Sequence, residues 1–184
     1  MIEIIPAIIP QNLNVAREKI SLVRDLVKKI QIDIVDGKYA NTTSWPFNGD
    51  QFEEVIKMVR GEENFPFIKE LEMELDLFVM HPIEYLSDFI SMGFKSFVIH
   101  IDSTDHVTEC IDTLKYANCK VGLGIKPSIE TSYLYPHLTK IDFIQFMGND
   151  RVGYNGVSLD ENVLIKISNF HNDHPSIPIQ TDIS

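Results

Sequence analysis

Acidic and amide side chains stand inside or at the ends of the most apolar runs of this 184-residue chain. The side chains that could take part in chemistry are those of Gln31, Asp33, Asp76, His100 and Asp182. Gln31 and Asp33 alternate, so in a strand they lie on one face. Buried carboxylates are costly unless they meet partners, so a group of them at one place indicates proton transfer or metal binding. Solvated strand ends would produce the same pattern, and both interpretations stay open at this point.

Short runs rich in Ile, Val and Phe predict the strands that would position these side chains. The seven runs span residues 3–9, 30–35, 73–79, 96–101, 120–125, 142–147 and 177–182. Between them, apolar residues three or four apart predict helices at 12–29, 82–92 and 105–117, and more weakly at 128–138. Capping-box patterns at 50–53 and 158–161 predict helices that begin near 51 and 159. Gly93 is expected to end one of the helices.

The alternation of apolar strands with helices predicts an α/β fold, because parallel strands need crossover connections. We expect one domain over residues 1–184, since no linker or low-complexity segment divides the chain. A doubly wound sheet would carry a glycine-rich turn after its first strand, where this chain has Pro10-Gln-Asn. The sequence therefore predicts a TIM-type (β/α)8 barrel that is incomplete, with about seven strands.

Composition excludes several classes of partner. Lys and Arg number 16 against 27 Asp and Glu, a formal net charge of −11, so we expect no nucleic-acid partner. No apolar run approaches the ~18 residues that span a bilayer, so no membrane segment is expected. Residues 1–13 lack the positive start of a secretory signal. Two cysteines, Cys110 and Cys119, without a Cys-x-x-Cys motif, suit a protein of the reducing cytoplasm.

Several strings resemble one known family in the right order. Gln31-Ile-Asp-Ile-Val-Asp-Gly37 resembles the His-Ile-Asp-Val-Met-Asp-Gly strand of ribulose-phosphate 3-epimerases, and Ile5-Pro-Ala-Ile-Ile9 is similar to their Ala-Pro-Ser-Ile-Leu. The resemblance continues through Leu75–Val79, Val98–His100, Val121–Pro127 and Gly153–Gly156, and so spans essentially the whole chain. It implies a barrel that binds a small sugar phosphate and an isomerase acting on a ketopentose 5-phosphate such as ribulose 5-phosphate.

The resemblance also implies roles for particular residues. Epimerisation beside a ketone removes a proton from carbon and returns one to the opposite face, and Asp33 and Asp182 match the family's acid/base pair. The family's divalent metal is bound by two His and the same two Asp, at positions that here read Gln31, Asp33, Asp76 and Asp182. Because all four offer oxygen, Mg²⁺ or Mn²⁺ is expected in preference to zinc or iron. Decay of this site into a hydrogen-bonded polar cluster is the alternative.

Further positions match the family's substrate pocket. Substrate binding is expected at Ala7, His100, Met147, Gly153 and Gly156, the two glycines as part of a backbone cradle for phosphate. His100 would look the same as a buried histidine bonded to its neighbours.

A second function stays open. The chain could be a catalytically inactive barrel homologue that binds a phosphorylated ligand or a protein partner. A missing eighth strand would leave the first and seventh strands with unpaired edges, so a homo-oligomer is expected.

Overall fold

Seven parallel strands form one curled sheet in the computed structural model, which describes residues 2–154 and 156–183. In the described part of the chain, strands that are neighbours in the sheet are also consecutive in the sequence. They are β1 (Ala7–Ile8), β2 (Lys29–Val35), β3 (Glu72–Phe78), β4 (Ser96–His100), β5 (Lys120–Ile125), β6 (Phe143–Met147) and β7 (Ile179–Asp182). The prediction of an incomplete α/β barrel is thus confirmed. The ends of the predicted single domain, Met1 and Ser184, lie outside the described residues.

Helices alternate with the strands along the chain. They are α1 (Leu13–Val23), α2 (Phe52–Val59), α3 (Leu86–Ser91), α4 (Val107–Tyr116) and α5 (Asn162–Asp173), with 3₁₀ turns at Pro82–Glu84 and Thr131–His137. The weak helical pattern at 128–138 therefore forms a 3₁₀ segment, because Pro136 cannot supply a helical N–H. Among the described residues, no helix is both long and apolar enough to cross a membrane.

Helix ends follow the local chemistry in some places and not in others. The Asn12 side chain accepts a bond from the Val15 N–H and so caps α1, and Gly93 has φ +104° directly after α3, as expected. The predicted capping boxes put the N-caps at Asp50 and Ser158, whereas α2 and α5 have their N-caps at Gln51 and Glu161, and neither of these two side chains bonds its helix. At α5 the carboxylate of Asp160 instead accepts a bond from the Asn162 N–H.

The two faces of the sheet have opposite character. Ile30, Ile32, Ile34 and their counterparts on the other strands point outward and form the hydrophobic core with the helices. The alternate residues point to the concave face, and on β2 to β4 and β6 many of them are polar and buried: Gln31, Asp33, Glu74, Asp76, Ser96, His100 and Gln145. The alternation of each strand therefore sends the apolar residues to the helices and the polar ones to a common interior.

The curled sheet is open on one side. In the described part of the chain, β1 pairs with β2 alone and β7 with β6 alone. A cleft of about 810 Å³ lies along these two edges, and its lining includes Ala7, Gln31, Gln180 and Asp182. The polar interior is therefore reached from the side, between β1 and β7.

Candidate functional site: a buried carboxyl and amide cluster

Strand register brings the predicted acidic residues together. Asp33 on β2 lies directly opposite Asp76 on β3, and Asp182 on β7 lies opposite Met147 on β6. Asp33 is 2% exposed and Asp76 is fully buried, whereas Asp182 lines the cleft. The predicted alternation of Gln31 and Asp33 on one face is confirmed, because Gln31 bonds both aspartates.

Burial and mutual repulsion act on these carboxyls in the same direction. Burial raises the pKa of Asp33 well above its usual range, and the negative charges of Asp76, Asp182 and Glu74 raise it further. The pKa of Asp76 is raised in the same way, by burial first and then by Asp182 and Glu74. Hydrogen bonds from the neighbouring amides oppose these shifts without cancelling them. Both aspartates hold a proton to higher pH than an exposed carboxyl does.

An ion pair forms the lower part of the cluster. Lys29 Nζ is 2.7 Å from Glu74 Oε2, and the Ser96 hydroxyl donates to the same oxygen at 2.6 Å. The second oxygen of Glu74 faces the Gln180 amide. Glu74 is fully buried, so these partners are what offset its desolvation.

Three glutamine amides lie above this ion pair. Nε2 of Gln180 is 2.9 Å from Glu74 Oε1, 2.9 Å from Gln31 Oε1 and 2.8 Å from Gln145 Oε1. A single amide nitrogen on β7 therefore lies within hydrogen-bond distance of residues of β2, β3 and β6, and its two N–H groups are shared among the three oxygens.

The amide nitrogens of the other two glutamines point to the aspartates. Gln31 Nε2 donates to Asp33 Oδ1 at 2.9 Å and reaches Asp76 Oδ2 at 3.3 Å. Gln145 Nε2 donates to the same Asp76 oxygen. Four strands are linked by this buried network, which makes it a rigid element of the interior.

His100 completes the cluster on β4. Its Nε2 is 2.8 Å from Asp76 Oδ1, and its buried Nδ1 has no hydrogen-bond partner among the described residues. Burial lowers the pKa of His100 to about 3, so the imidazole is neutral at pH 7. A Cβ atom on Gly124 would lie 2.7 Å from the ring, which explains why β5 carries glycine there.

Tyr39 covers the cluster at the carboxyl ends of the strands. Its ring centroid is 5.2 Å from that of His100, and its hydroxyl donates to Asp102 at 2.5 Å. Lys126 Nζ lies 2.9 Å from the other Asp102 oxygen and 4.1 Å from the Tyr39 ring centroid. Burial raises the pKa of Asp102, but hydrogen bonds from Tyr39 and Lys126 outweigh it and lower the pKa below the usual range. These contacts hold Tyr39 in place beside His100.

The predicted substrate-binding residues separate into two groups. Ala7 lines the cleft, His100 is in the cluster, and the Met147 sulfur lies 3.4 Å from Gln145 Nε2. Gly153 and Gly156 lie apart, in the loop after β6.

The two glycines also differ from each other. The Gly153 carbonyl accepts a bond from Thr42 Oγ1 at 3.0 Å, and a Cβ atom on Gly153 would lie 3.0 Å from Ala40. Gly153 therefore packs against another loop, whereas a Cβ atom on Gly156 would meet no atom within 4 Å. Of the two, Gly156 has the open surroundings that an anion cradle requires.

Six residues of the cluster and its cover were not among the predicted site residues: Lys29, Glu74, Ser96, Gln145, Gln180 and Tyr39. Gln180 could have been found from its alternation with Asp182, which places both on one face of β7. Tyr39 lies in a loop and carries no such signal.

The predicted metal set does not have the arrangement of a cation site. No three His, Cys, Asp or Glu residues within 2–154 and 156–183 are grouped so that they could hold a metal ion. Both oxygens of Asp76 already have partners, and Gln31 presents its nitrogen, not its oxygen, to the aspartates. N–H donors and a cation compete for the same carboxylate lone pairs, so this donor set does not fit a divalent metal.

A curled parallel sheet with helices outside and acidic groups on its concave face defines an open β/α barrel of the TIM class. The sequence model described as the ribulose-phosphate 3 epimerase family matches residues 3–184, and the chain belongs to that family. The resemblance of the individual strings is thereby confirmed.

Proteins named ribulose-phosphate 3-epimerase are similar to this chain at low identity. That of Treponema pallidum (strain Nichols) is 22% identical over 139 residues, covering 76% of this chain and 58% of the relative. That of Escherichia coli (strain K12) is 26% identical over 140 residues, covering 75% and 56%. That of Buchnera aphidicola subsp. Schizaphis graminum (strain Sg) is 26% identical over 120 residues, covering 64% and 47%. The chain thus spans about half the length of these curated relatives.

Proposed function

We propose that the chain is a sugar-phosphate epimerase acting on a ketopentose 5-phosphate such as ribulose 5-phosphate. The observation that carries the proposal is that Asp182 and Gln31 line the same cleft, and that Gln31 bonds both Asp33 and Asp76. Family membership and the names of the relatives support the reaction class.

Asp33 and Asp182 are the proposed proton-transferring pair. One carboxylate removes the proton from the carbon beside the ketone, and a carboxylic acid then returns a proton to the opposite face. The raised pKa of Asp33 suits it to the role of acid. The proposal gives the role of base to Asp182. The two residues come from β2 and β7, the strands that lie near the two sides of the cleft.

The cleft supports binding of a small phosphorylated sugar. Its volume of about 810 Å³ exceeds what a pentose phosphate needs, and Ala7 and Asp182 line it. In the proposal Ala7, Met147 and His100 lie around the carbon chain of the substrate, and Gly156 with Gly153 lies toward the phosphate.

Hydrogen exchange is the direct test of this activity. Purified protein incubated with ribulose 5-phosphate in D₂O should place deuterium on the carbon beside the ketone, measured by NMR. Asp33→Asn and Asp182→Asn should each lower the rate by about 10³-fold, because each removes one proton carrier. Asp25→Asn, at an exposed helix-end position, is the matched control and should leave the rate unchanged. Absence of exchange with folded wild-type protein would reject the epimerase proposal.

A non-catalytic binding protein is the second candidate. It is favoured by a buried apolar cluster at the carboxyl ends of the strands, formed by Val35, Ala40, Phe78, Met147 and Val152. In that case Asp33→Asn should bind ribulose 5-phosphate in calorimetry as tightly as the wild type, and neither protein should exchange hydrogen.

We also propose a cytoplasmic protein that forms homo-oligomers. The buried thiols of Cys110 and Cys119 are unpaired, which suits a reducing compartment. Oligomerisation is supported by the open edges of β1 and β7.

A further inference from the structure

We propose that N–H donors, and not a divalent cation, occupy the oxygens of the carboxyl cluster of this barrel, and that Glu74 and Gln180 determine this by orienting the amides of Gln31 and Gln145. The inference concerns binding, and it stands whether or not the proposed epimerase activity is found. It also differs from the metal site that the family resemblance implies.

The orientation begins at Glu74. Its Oε2 receives Lys29 and Ser96, and its Oε1 faces Gln180. A carboxylate held by a lysine ammonium accepts hydrogen bonds and cannot donate them. The Gln180 atom that faces it must therefore be the NH₂ group, which removes the usual ambiguity between amide nitrogen and oxygen.

The orientation of the Gln180 amide in turn fixes the orientation of two amides on other strands. The Gln180 nitrogen also faces the side-chain oxygens of Gln31 and Gln145, at 2.9 and 2.8 Å. Turning either of these amides over would set its NH₂ group against the NH₂ group of Gln180. Two donors that face each other inside a buried site are costly. Both amides therefore point their nitrogens toward Asp33 and Asp76.

The orientation of the two amides determines which groups contact Asp76. Gln31 and Gln145 occupy its Oδ2, and His100 occupies its Oδ1, while Gln31 also donates to Asp33. A cation placed here would have to displace these contacts and would meet no amide oxygen, because both oxygens face Gln180. The cluster thus presents N–H groups where a metal site presents lone pairs.

Metal titration of the wild type tests the inference directly. Chelator-treated protein is titrated with Mn²⁺, and free Mn²⁺ is measured by electron paramagnetic resonance. We expect only weak binding to surface acids, with the same isotherm for wild type and Asp33→Asn. Stoichiometric binding that Asp33→Asn weakens tenfold or more would overturn the inference.

Replacing the donors should create a metal site. The double variant Gln31→His and Asp76→His supplies two imidazole ligands beside Asp33 and Asp182. Titrated with Co²⁺, it should show a visible absorption band and at least 100-fold tighter binding than the wild type, which adding Asp33→Asn should remove. The fold of the double variant is checked by circular dichroism. A folded double variant without this gain would overturn the inference, because the affinity for the metal would then not depend on which donor groups line the cluster.

A milder variant tests the orienting step itself. Glu74→Gln keeps the shape of the side chain but can donate as well as accept, so the Gln180 amide can turn and release the Gln31 oxygen toward Asp33. We expect Mn²⁺ binding at least tenfold tighter than in the wild type. Glu72→Gln, exposed on the same strand, is the matched control and should not change binding. Equal binding by folded Glu74→Gln and wild type would contradict the orienting role.

Discussion

The side chain of His100 shows how a single residue depends on the strands around it. Its ring fills the space that Gly124 leaves empty on β5, lies beneath Tyr39 and contacts Asp76 through Nε2. The ring of Phe143 fills the space over Gly122 in the same way. The concave face of β5 carries no side chain at these two positions, and the neighbouring strands supply the packing there.

Burial of a neutral His100 makes stability depend on pH. Its pKa is about 3 in the folded protein against an ordinary 6.5, so the unfolded chain takes up a proton first as the pH falls. This contribution to stability is present above pH 6.5 and is lost progressively toward pH 3, by about 2 kcal/mol at pH 5. The melting temperature of the wild type should therefore fall more between pH 7 and pH 5 than that of His100→Gln.

The comparison between those two proteins isolates His100. The raised pKa values of Asp33 and Asp76 act in the opposite direction, since their proton uptake in the folded state favours stability at lower pH, and they remain in both proteins. Equal pH dependence of the two melting temperatures would show that His100 is not held neutral.

The sequence allowed several members of the cluster to be predicted, but not the contacts between them. Alternation and position at strand ends placed Gln31, Asp33, Asp76 and Asp182 among the candidate polar residues, because those signals are local. The family resemblance then grouped these four as one site. The bonds that Gln180 makes to three other strands depend on the register of β6 with β7 and on side-chain rotamers. No spacing in the sequence carries that information.

At the scale of elements, the interior of a strand is more predictable than its ends. The run at 120–125 matches β5 residue for residue, whereas the run at 3–9 yields only Ala7–Ile8 as β1. β1 pairs on one side only within the described residues, and Pro6 and Pro10 flank it, so few ladder bonds can form.

One contact between elements holds the loop after β5. Lys166 on α5 donates to the carbonyls of Lys126, Pro127 and Ile129. An ammonium group has three donors, so this one side chain satisfies three loop carbonyls.

Removing that ammonium should loosen the loop. Lys166→Met should lower the free energy of unfolding by about 2 kcal/mol, because the carbonyls lose charged hydrogen bonds. Hydrogen–deuterium exchange of residues 126–130 should accelerate in the same variant. Lys69→Met, at an exposed position, serves as control and should leave both quantities unchanged. If hydrogen–deuterium exchange of this loop is the same in Lys166→Met and the wild type, other contacts hold the loop in place.

At the scale of the whole molecule, the open edges of the sheet lie beside exposed apolar side chains. Ile2, Ile4 and Ile183 flank β1 and β7, and Ile4 is 80% exposed. Unpaired strand edges with apolar flanks favour association between chains.

The proposed homo-oligomer should therefore depend on these residues. Light scattering of the wild type at micromolar concentration should give a multiple of the 21.1 kDa chain mass. The double variant Ile2→Lys and Ile4→Lys should be monomeric, because it places charge beside the β1 edge. The matched variant Leu22→Lys, equally apolar and exposed but on α1, should keep the assembly of the wild type. A monomeric wild type would refute the proposal.

Tyr39 covers His100 at the carboxyl ends of the strands, and Ala7 and Asp182 line the cleft along β1 and β7. In the proposed homo-oligomer, a strand of another chain would pair with the backbone groups of these edges. Such pairing would cover the cleft, so the access of a small molecule to the acidic interior would fall as the protein concentration rises.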